Sequence, residues 1–306
     1  MSRPESYSFQ RYLAAKERVD DRALHRPTLD ELTADLAEIA DRRGDVRVLD
    51  VGGGLGSMLR RLLDWNRLPD RVSYTLVDRD ESTLGRGYER CVDWARDAGY
   101  AVDEGSGGDE GDADADLLLS TGTERIAVSL VAADAFDLLA DAEATWDLVV
   151  AAAFLDIVEL NRALPLVFSA LADGGRWYFP VTFDGETGFA PTPDPELEAR
   201  VVDAYHETMD APERPGGSRT GRELLATVPE FGGEILSAGG SDWVVTTPYA
   251  GDEAYFLHHL LSFFDDAVGG TGEIDRFDAW VDERHAAVER GELSLVAHHL
   301  DVYGRC

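Results

Sequence analysis

Between Val46 and Leu63 the chain reads VRVLDVGGGLGSMLRRLL, with glycine at 52, 53, 54 and 56. Glycine loses more conformational freedom on ordering than any other residue, at a cost of about 1 kcal/mol relative to alanine inside regular structure. A cluster of it therefore marks a place where the backbone must turn sharply or stay bare. VRVLDV (46–51) has the length and composition of a buried strand, and SMLRRLLDW (57–65) carries helical spacing. A strand that ends in glycines and feeds a helix presents unpaired N–H groups, and the positive end of the helix dipole, to whatever lies above the turn.

The alternation continues. SYTLVDRD (73–80), RIAVSLVAAD (125–134), WDLVVAAAFLD (146–156) and GGRWYFPVTF (174–183) read as further strands, with helices over 81–98, 136–142 and 159–171 between them. This pattern predicts an α/β architecture: a doubly wound, mostly parallel sheet with right-handed crossovers and helices on both faces. In such sheets ligands bind beyond the carboxyl ends of the strands. Two amphipathic helices, 7–24 and 28–42, come first, the second opened by Pro27 and the capping-box spacing Thr28–Glu31. Downstream, loops at 184–196 and 211–219 flank a helix at 196–209, and another helix is expected at 220–227. GEILSAGGSDWVVTTP (233–248) reads as a hairpin around GGS, and the tail 252–303 as three helical pieces, the last of them LSLVAHHLDVYGR. DEGSGGDEGDADAD (103–116) has no apolar residue larger than alanine and is expected to be a disordered surface insertion. It lacks the ligand order of a calcium-binding EF-hand loop.

Composition narrows the partners. At 306 residues with 44% hydrophobic content, the chain can bury a large core. No apolar run approaches the roughly 20 residues of a membrane span, and the N-terminus has no apolar signal segment, so a soluble cytoplasmic protein is expected. Sixty acidic residues against 28 basic ones give a net charge of −32, and Lys16 is the sole lysine. Such a surface repels phosphate backbones and anionic lipid, so neither nucleic acid nor membrane is an expected partner. Acids spread along nearly the whole chain read as adaptation to molar salt, where the screening length shrinks to about 3 Å, rather than as a docking face.

Cys91 and Cys306 have no ligand or disulfide spacing around them. The adjacent pairs His258/His259 and His298/His299 fall on predicted helices, where neighbours diverge by about 100°. Each pair is expected to place one ring in the core and one in water, and His206 and His285 make no better metal site. No metal is expected.

Asp50, Gly52, Gly54 and Gly56 form D-x-G-x-G-x-G. The dinucleotide fingerprint G-x-G-x-x-G fits poorly, because a start at Gly52 places its last position on Ser57. The pattern instead resembles motif I of the class I S-adenosylmethionine (SAM) methyltransferases. YTLVDRD then places Asp78 at the end of the second strand, and VAADAFDLL places Asp134 at the end of the third. WDLVVAAAFLDIVEL resembles the family's fourth motif, and LADGGRWYFPVTF its fifth strand. The likeness covers roughly residues 40–183.

It implies a seven-stranded sheet of order 3-2-1-4-5-7-6, with the 233–248 hairpin supplying the reversed last strand pair. It implies SAM as cofactor, cradled by Asp50, Gly52, Gly53, Gly54 and Gly56. Asp78, with Arg79 beside it, would meet the ribose; Asp134, Ala135 and Phe136 the adenine; and Ala153 the space beneath the sulfonium. The loop FDGETGF, the segment AGGSDWVV and the ending VAHHLDVYG further resemble a haloarchaeal and actinobacterial subgroup, a likeness that names no substrate.

Methyl transfer is an in-line displacement in which protein positions and shields the reactants, so the family has no universal catalytic residue. Asp156 and Tyr178 are the candidates. Asp156 could orient an acceptor amine or hydroxyl, or simply cap the next helix. Of Tyr178 and Phe179, alternation sends one to the core and leaves the other to line the site. Phe183, Asp184 and Phe189 are candidate walls for an acceptor. The expected organisation is a helical cap at 1–43, a SAM-binding domain at 44–250 and a helical extension at 251–306. The terminal helices would cover a small-molecule acceptor, with a homodimer interface or plain buttress as rival uses. Two other functions compete: a SAM- or SAH-binding protein without transfer, and an NAD(P)-dependent oxidoreductase on a similar sheet.

Overall fold

The computed structural model describes residues 2–105, 115–141, 146–270, 272 and 274–306. The chain opens with α1 (Phe9–Ala23), capped by the Ser8 side chain, and α2 (Arg26–Arg43), with proline in its first turn. The glycine turn joins β1 (Val46–Val51) to α3 (Ser57–Asp64). Next come β2 (Arg71–Asp78), α4 (Glu81–Asp97), β3 (Ala101–Glu104), β4 (Leu117–Thr121) and β5 (Glu124–Ala132). A short α5 (Ala135–Ala140) leads to β6 (Trp146–Val150), α6 (Leu160–Ala170) and the long β7 (Leu171–Ala190). The remainder is α7 (Pro195–Met209), α8 (Thr220–Glu230), β8 (Glu234–Gly240), β9 (Trp243–Val245), α9 (Glu253–Val268), α10 (Phe277–Arg290) and β10 (Ser294–Arg305).

These strands form one 10-stranded mixed sheet of order β3-β4-β5-β2-β1-β6-β7-β10-β8, with β9 alongside β10. β5, β2, β1, β6 and β7 are mutually parallel, in register from Val46↔Val72 to Val51↔Val77 and from Arg71↔Arg125 to Asp78↔Ala132. β10 runs antiparallel to both β7 and β8. Helices cover both faces. Val46, Val48, Tyr74, Leu76, Leu148 and Val150 pack on one side with α1, α2, α9 and α10. Leu49, Val51, Val77, Val149, Trp177 and Phe179 pack on the other with α6 and α8. The period-2 alternation of strand side chains divides the core in this way.

The sheet departs from the expected seven strands. β3 and β4 extend one edge as antiparallel additions beside β5, partly from the segment read as a disordered insertion. The rest of that expectation, residues 106–114, lies outside the described residues. The expected 233–248 hairpin is not one: β8 and β9 each pair with different parts of β10. LSLVAHHLDVYGR, expected as a helix, is β10 itself and sits inside the sheet between β7 and β8. Its sequence hides the strand because β-bulges interrupt the alternation at Ala297/His299 and Leu300/Val302. α9 is buried nearly all round, as a helix apolar on every side must be. Its surface is taken up by α1, α7 and α10 rather than left for a partner. Among the described residues no helix is long and apolar enough to cross a membrane.

Candidate functional site

The turn after β1 is held by backbone conformation. Gly52, Gly54 and Gly56 take φ of 66°, 51° and 67°, the left-handed region that side chains disfavour. Gly53 is bare for another reason: a Cβ there would lie 2.5 Å from Leu76 and 3.2 Å from the Asp50 carbonyl oxygen. Several of the turn's amides are satisfied internally. Gly53 N–H donates to Val77 O (3.0 Å) and Gly56 N–H to Gly53 O (2.8 Å). Gly54 N–H donates to the Asp78 carboxylate at 3.1 Å.

The acids expected around the turn gather at the same carboxyl edge, because β1, β2 and β5 end level in parallel register. Asp78 binds Gly54 through Oδ2 and accepts from Asp80 N–H through Oδ1 at 3.0 Å. Asp134 caps α5, its Oδ1 accepting from Phe136 N–H at 2.8 Å. Ala135 is half-buried behind it, and Arg79 is exposed at the rim. The Phe136 ring carries the Arg162 guanidinium 4.3 Å above it and lies 6.4 Å from the Phe154 ring. Asp50 points from β1 into the core, only 1% exposed, and accepts from Tyr74 Oη at 2.9 Å. Burial pushes its carboxyl up to about 7.

Two side chains that the sequence did not single out close over the turn. A Cβ at Gly52 would stand 2.8 Å from the Phe154 ring. Leu13 of α1 is the nearest side chain to the space over Gly54, at 3.6 Å. α1 is pinned there by Glu17, which accepts from Ser57 Oγ (2.6 Å) at the start of α3 and pairs with Arg60 and with Arg90 (2.6 Å). Nothing local in the sequence signals that this helix crosses the turn.

A second group lies past the end of β6 and at the middle of β7. Ala153 (φ 48°) and Val181 (φ 55°) both adopt left-handed backbone, uncommon outside glycine and rarest for the β-branched Val181. Ala153 N–H donates to Pro180 O (3.0 Å), which ties the segment after β6 to β7, and Val181 N–H donates to the buried Asp301 carboxylate (2.9 Å), which ties β7 to β10. Asp156 follows, with Oδ1 closed off from solvent and without a hydrogen-bond partner among the described residues. Burial raises its carboxyl to about 6. Tyr12 of α1 and Tyr205 of α7 both feel this carboxylate, and burial together with its charge pushes their hydroxyls up. Asp156 does not cap α6, whose first turn has no side-chain cap.

The other candidates are packing residues. Tyr178 is fully buried, and its hydroxyl donates to Asp301 at 2.8 Å, so the expected catalytic role gives way to a core one. Phe179 is equally buried on the opposite face. Asp184 accepts from Arg222 N–H and Nε at 2.7 and 2.8 Å, and Phe189 packs on Phe264 and Trp280, so neither lines a cleft. Phe183 lies between the His206 and His299 rings, 5.4 Å from each.

His258 and His259 are both buried, not one packed and one wet. His298 and His299 lie on a strand rather than a helix, so alternation buries only His299. Among the described residues no three His, Cys, Asp or Glu side chains gather into a metal site.

No family model and no curated protein matches the sequence. Among solved structures, the chain is similar to a candidate methyltransferase from Bacillus halodurans, with 14% identity over 89% of this chain and 97% of that one, and a TM-score of 0.48. It is also similar to geranyl diphosphate C-methyltransferase from Streptomyces coelicolor (12% identity, 99% and 86% covered, TM-score 0.43). A third is the cyclopropane synthase MmaA2 from Mycobacterium tuberculosis (10% identity, 99% and 100% covered, TM-score 0.42).

Proposed function

We propose that this chain is a SAM-dependent methyltransferase acting on a small molecule, in a protein adapted to molar salt. The observation that carries the reading is the meeting of the glycine turn with Asp78 and Asp134 at one carboxyl edge, where Asp78 reaches the Gly54 amide. The residues fit the cofactor by hydrogen-bonding type: two carboxylates to accept from hydroxyls and an exocyclic amine, and a bare, left-handed backbone for close approach. When bound, SAM supplies an electrophilic methyl group. The chain's contribution is to hold it beside Phe136 and Phe154 and to exclude water with α1, α7 and α9.

Calorimetric titration of SAM in molar KCl tests this. Saturable binding is expected, weakened about tenfold or more in Asp78→Ala, as for loss of a charged acceptor worth about 1.5 kcal/mol. Unchanged binding in that variant would remove the ribose assignment, and preferential binding of NADH would favour the oxidoreductase.

The contact of Phe154 and Leu13 with the turn favours a second reading, a SAM- or SAH-binding protein without transfer. Incubating methyl-labelled SAM with cell extract separates the two, since only a transferase passes the label to another metabolite.

A further inference from the structure

Two imidazoles meet inside the helical layer that covers one face of the sheet. His258 of α9 and His285 of α10 are both buried, with Nδ1 facing Nδ1 at 2.8 Å and 5.1 Å between ring centroids. The segment before α1 lies over this junction. Arg3 N–H donates to Glu289 Oε1 of α10 at 2.8 Å, and the Arg3 guanidinium pairs with Asp282 of α10 at 3.0 Å and Asp265 of α9 at 3.8 Å. Ser8 N–H donates to Tyr255 Oη of α9 at 2.8 Å, and the Tyr7 and His259 rings meet edge to face at 5.1 Å. Residues 3–8 are thus a strap fastened to both helices. They run directly into α1, whose Leu13 stands over the glycine turn.

So close an approach of two Nδ1 atoms fixes the protons. One ring must donate and the other accept, so the contact holds only while a single hydrogen lies between the two nitrogens. With both rings neutral, one Nε2 is left bare. A further proton must go there and leaves both Nε2 atoms protonated, yet His285 Nε2 is buried with no hydrogen-bond partner among the described residues. One proton more sets two Nδ1–H groups against each other. The charges around His285 are Arg3 from the strap, Asp282 and Glu289 from α10, and Asp265 from α9, and Arg3 engages all three acids. Arg284, the residue before His285, pairs with Glu198 of α7 instead. Burial, then the charges of Arg3 and His258, push the His285 imidazole down to about 4, against the pull of Asp282 and Glu289. Released into water, the same ring takes up a proton near pH 6.5, so acid favours the parted state.

We propose that the His258–His285 pair is an acid-sensitive latch: neutral, it locks α10 and the strap 3–8 onto α9, and protonation releases them together and loosens the entry into α1. The latch stands apart from the transferase reading and does not require SAM.

Amide hydrogen exchange of the full chain in molar KCl, at pH 7.5 and pH 5.5 with the intrinsic rates divided out, reads the opening. One ring that moves from about 4 to 6.5 on release makes opening about tenfold more frequent at pH 5.5. Protection of residues 3–12 and of α10 is expected to fall by that factor, without a fall in β1 and β6. His285→Gln keeps a hydrogen-bonding group that does not titrate, and is expected to abolish the change. Equal protection at the two pH values, a loss shared evenly by the whole chain, or the same fall in His285→Gln would each overturn the latch. Nitrogen-15 NMR of the imidazoles needs no variant: His285 is expected to stay neutral down to pH 5 in the folded chain, and a midpoint near 6.5 would overturn the proposal as well.

Discussion

Asp50 shows how one residue can carry both a motif and a cost. It is buried on β1 beneath the glycine turn, and its neighbour at hydrogen-bond distance is the Tyr74 hydroxyl. Burial disfavours its charge, so the folded chain holds this proton up to about pH 7, whereas an unfolded aspartate loses it near pH 3.8. Between those values the folded state binds more protons than the unfolded one, so stability falls as pH rises through that window. Asp50 should therefore remove about 3 kcal/mol between pH 5 and pH 8. Asp50→Asn should flatten that part of the profile and be more stable than the parent at pH 8. Urea unfolding at the two pH values measures it, and parallel profiles for parent and variant would refute the assignment. The D-x-G-x-G-x-G pattern is plain in the sequence. That its acid points into the core against Tyr74 is not, because the partner lies on another strand.

Among the elements, β10 carries the main lesson. Gly304 lies in register between Trp177 of β7 and Ile235 of β8, and a Cβ there would collide with the Trp177 ring and the Glu234 carbonyl. Gly304→Ala should lower stability by about 2–3 kcal/mol through overpacking, read as a drop in urea midpoint. An unshifted midpoint would mean the strands part freely at that level.

The parallel strands β1, β2, β5 and β6 were legible because each is a short apolar run bounded by turn residues, whereas β7 was legible only over 174–183 and its continuation to Ala190 reads as a loop. β10 was not legible. Its buried Asp301 looks like a solvent-facing residue until His25 N–H, Val181 N–H and Tyr178 Oη are seen to donate to it, at 2.9, 2.9 and 2.8 Å. Those donors come from β7 and from the start of α2, both far from Asp301 in the chain, and no local pattern encodes them. The same limit hid α1 from the candidate site. Asp78 and Asp134 follow from strand ends, whereas Leu13 and Glu17 reach the site only through tertiary packing.

Over the whole molecule, charge sets the conditions. A net charge of −32 repels itself across the surface at low salt, and screening falls from about 10 Å at 0.1 M to about 3 Å at 1 M. Buried pairs such as Arg284–Glu198 and Arg61–Asp20 are screened much less. The thermal midpoint should therefore climb between 0.1 M and 2 M KCl, and a flat or falling midpoint in differential scanning fluorimetry would contradict salt adaptation. The sheet's connectivity bears on how such a molecule comes apart. Among the described residues β8 and β9 have no neighbour but β10, which also closes on β7. Detaching that one strand strips three from the sheet together, because β8 and β9 are tied to the sheet through β10.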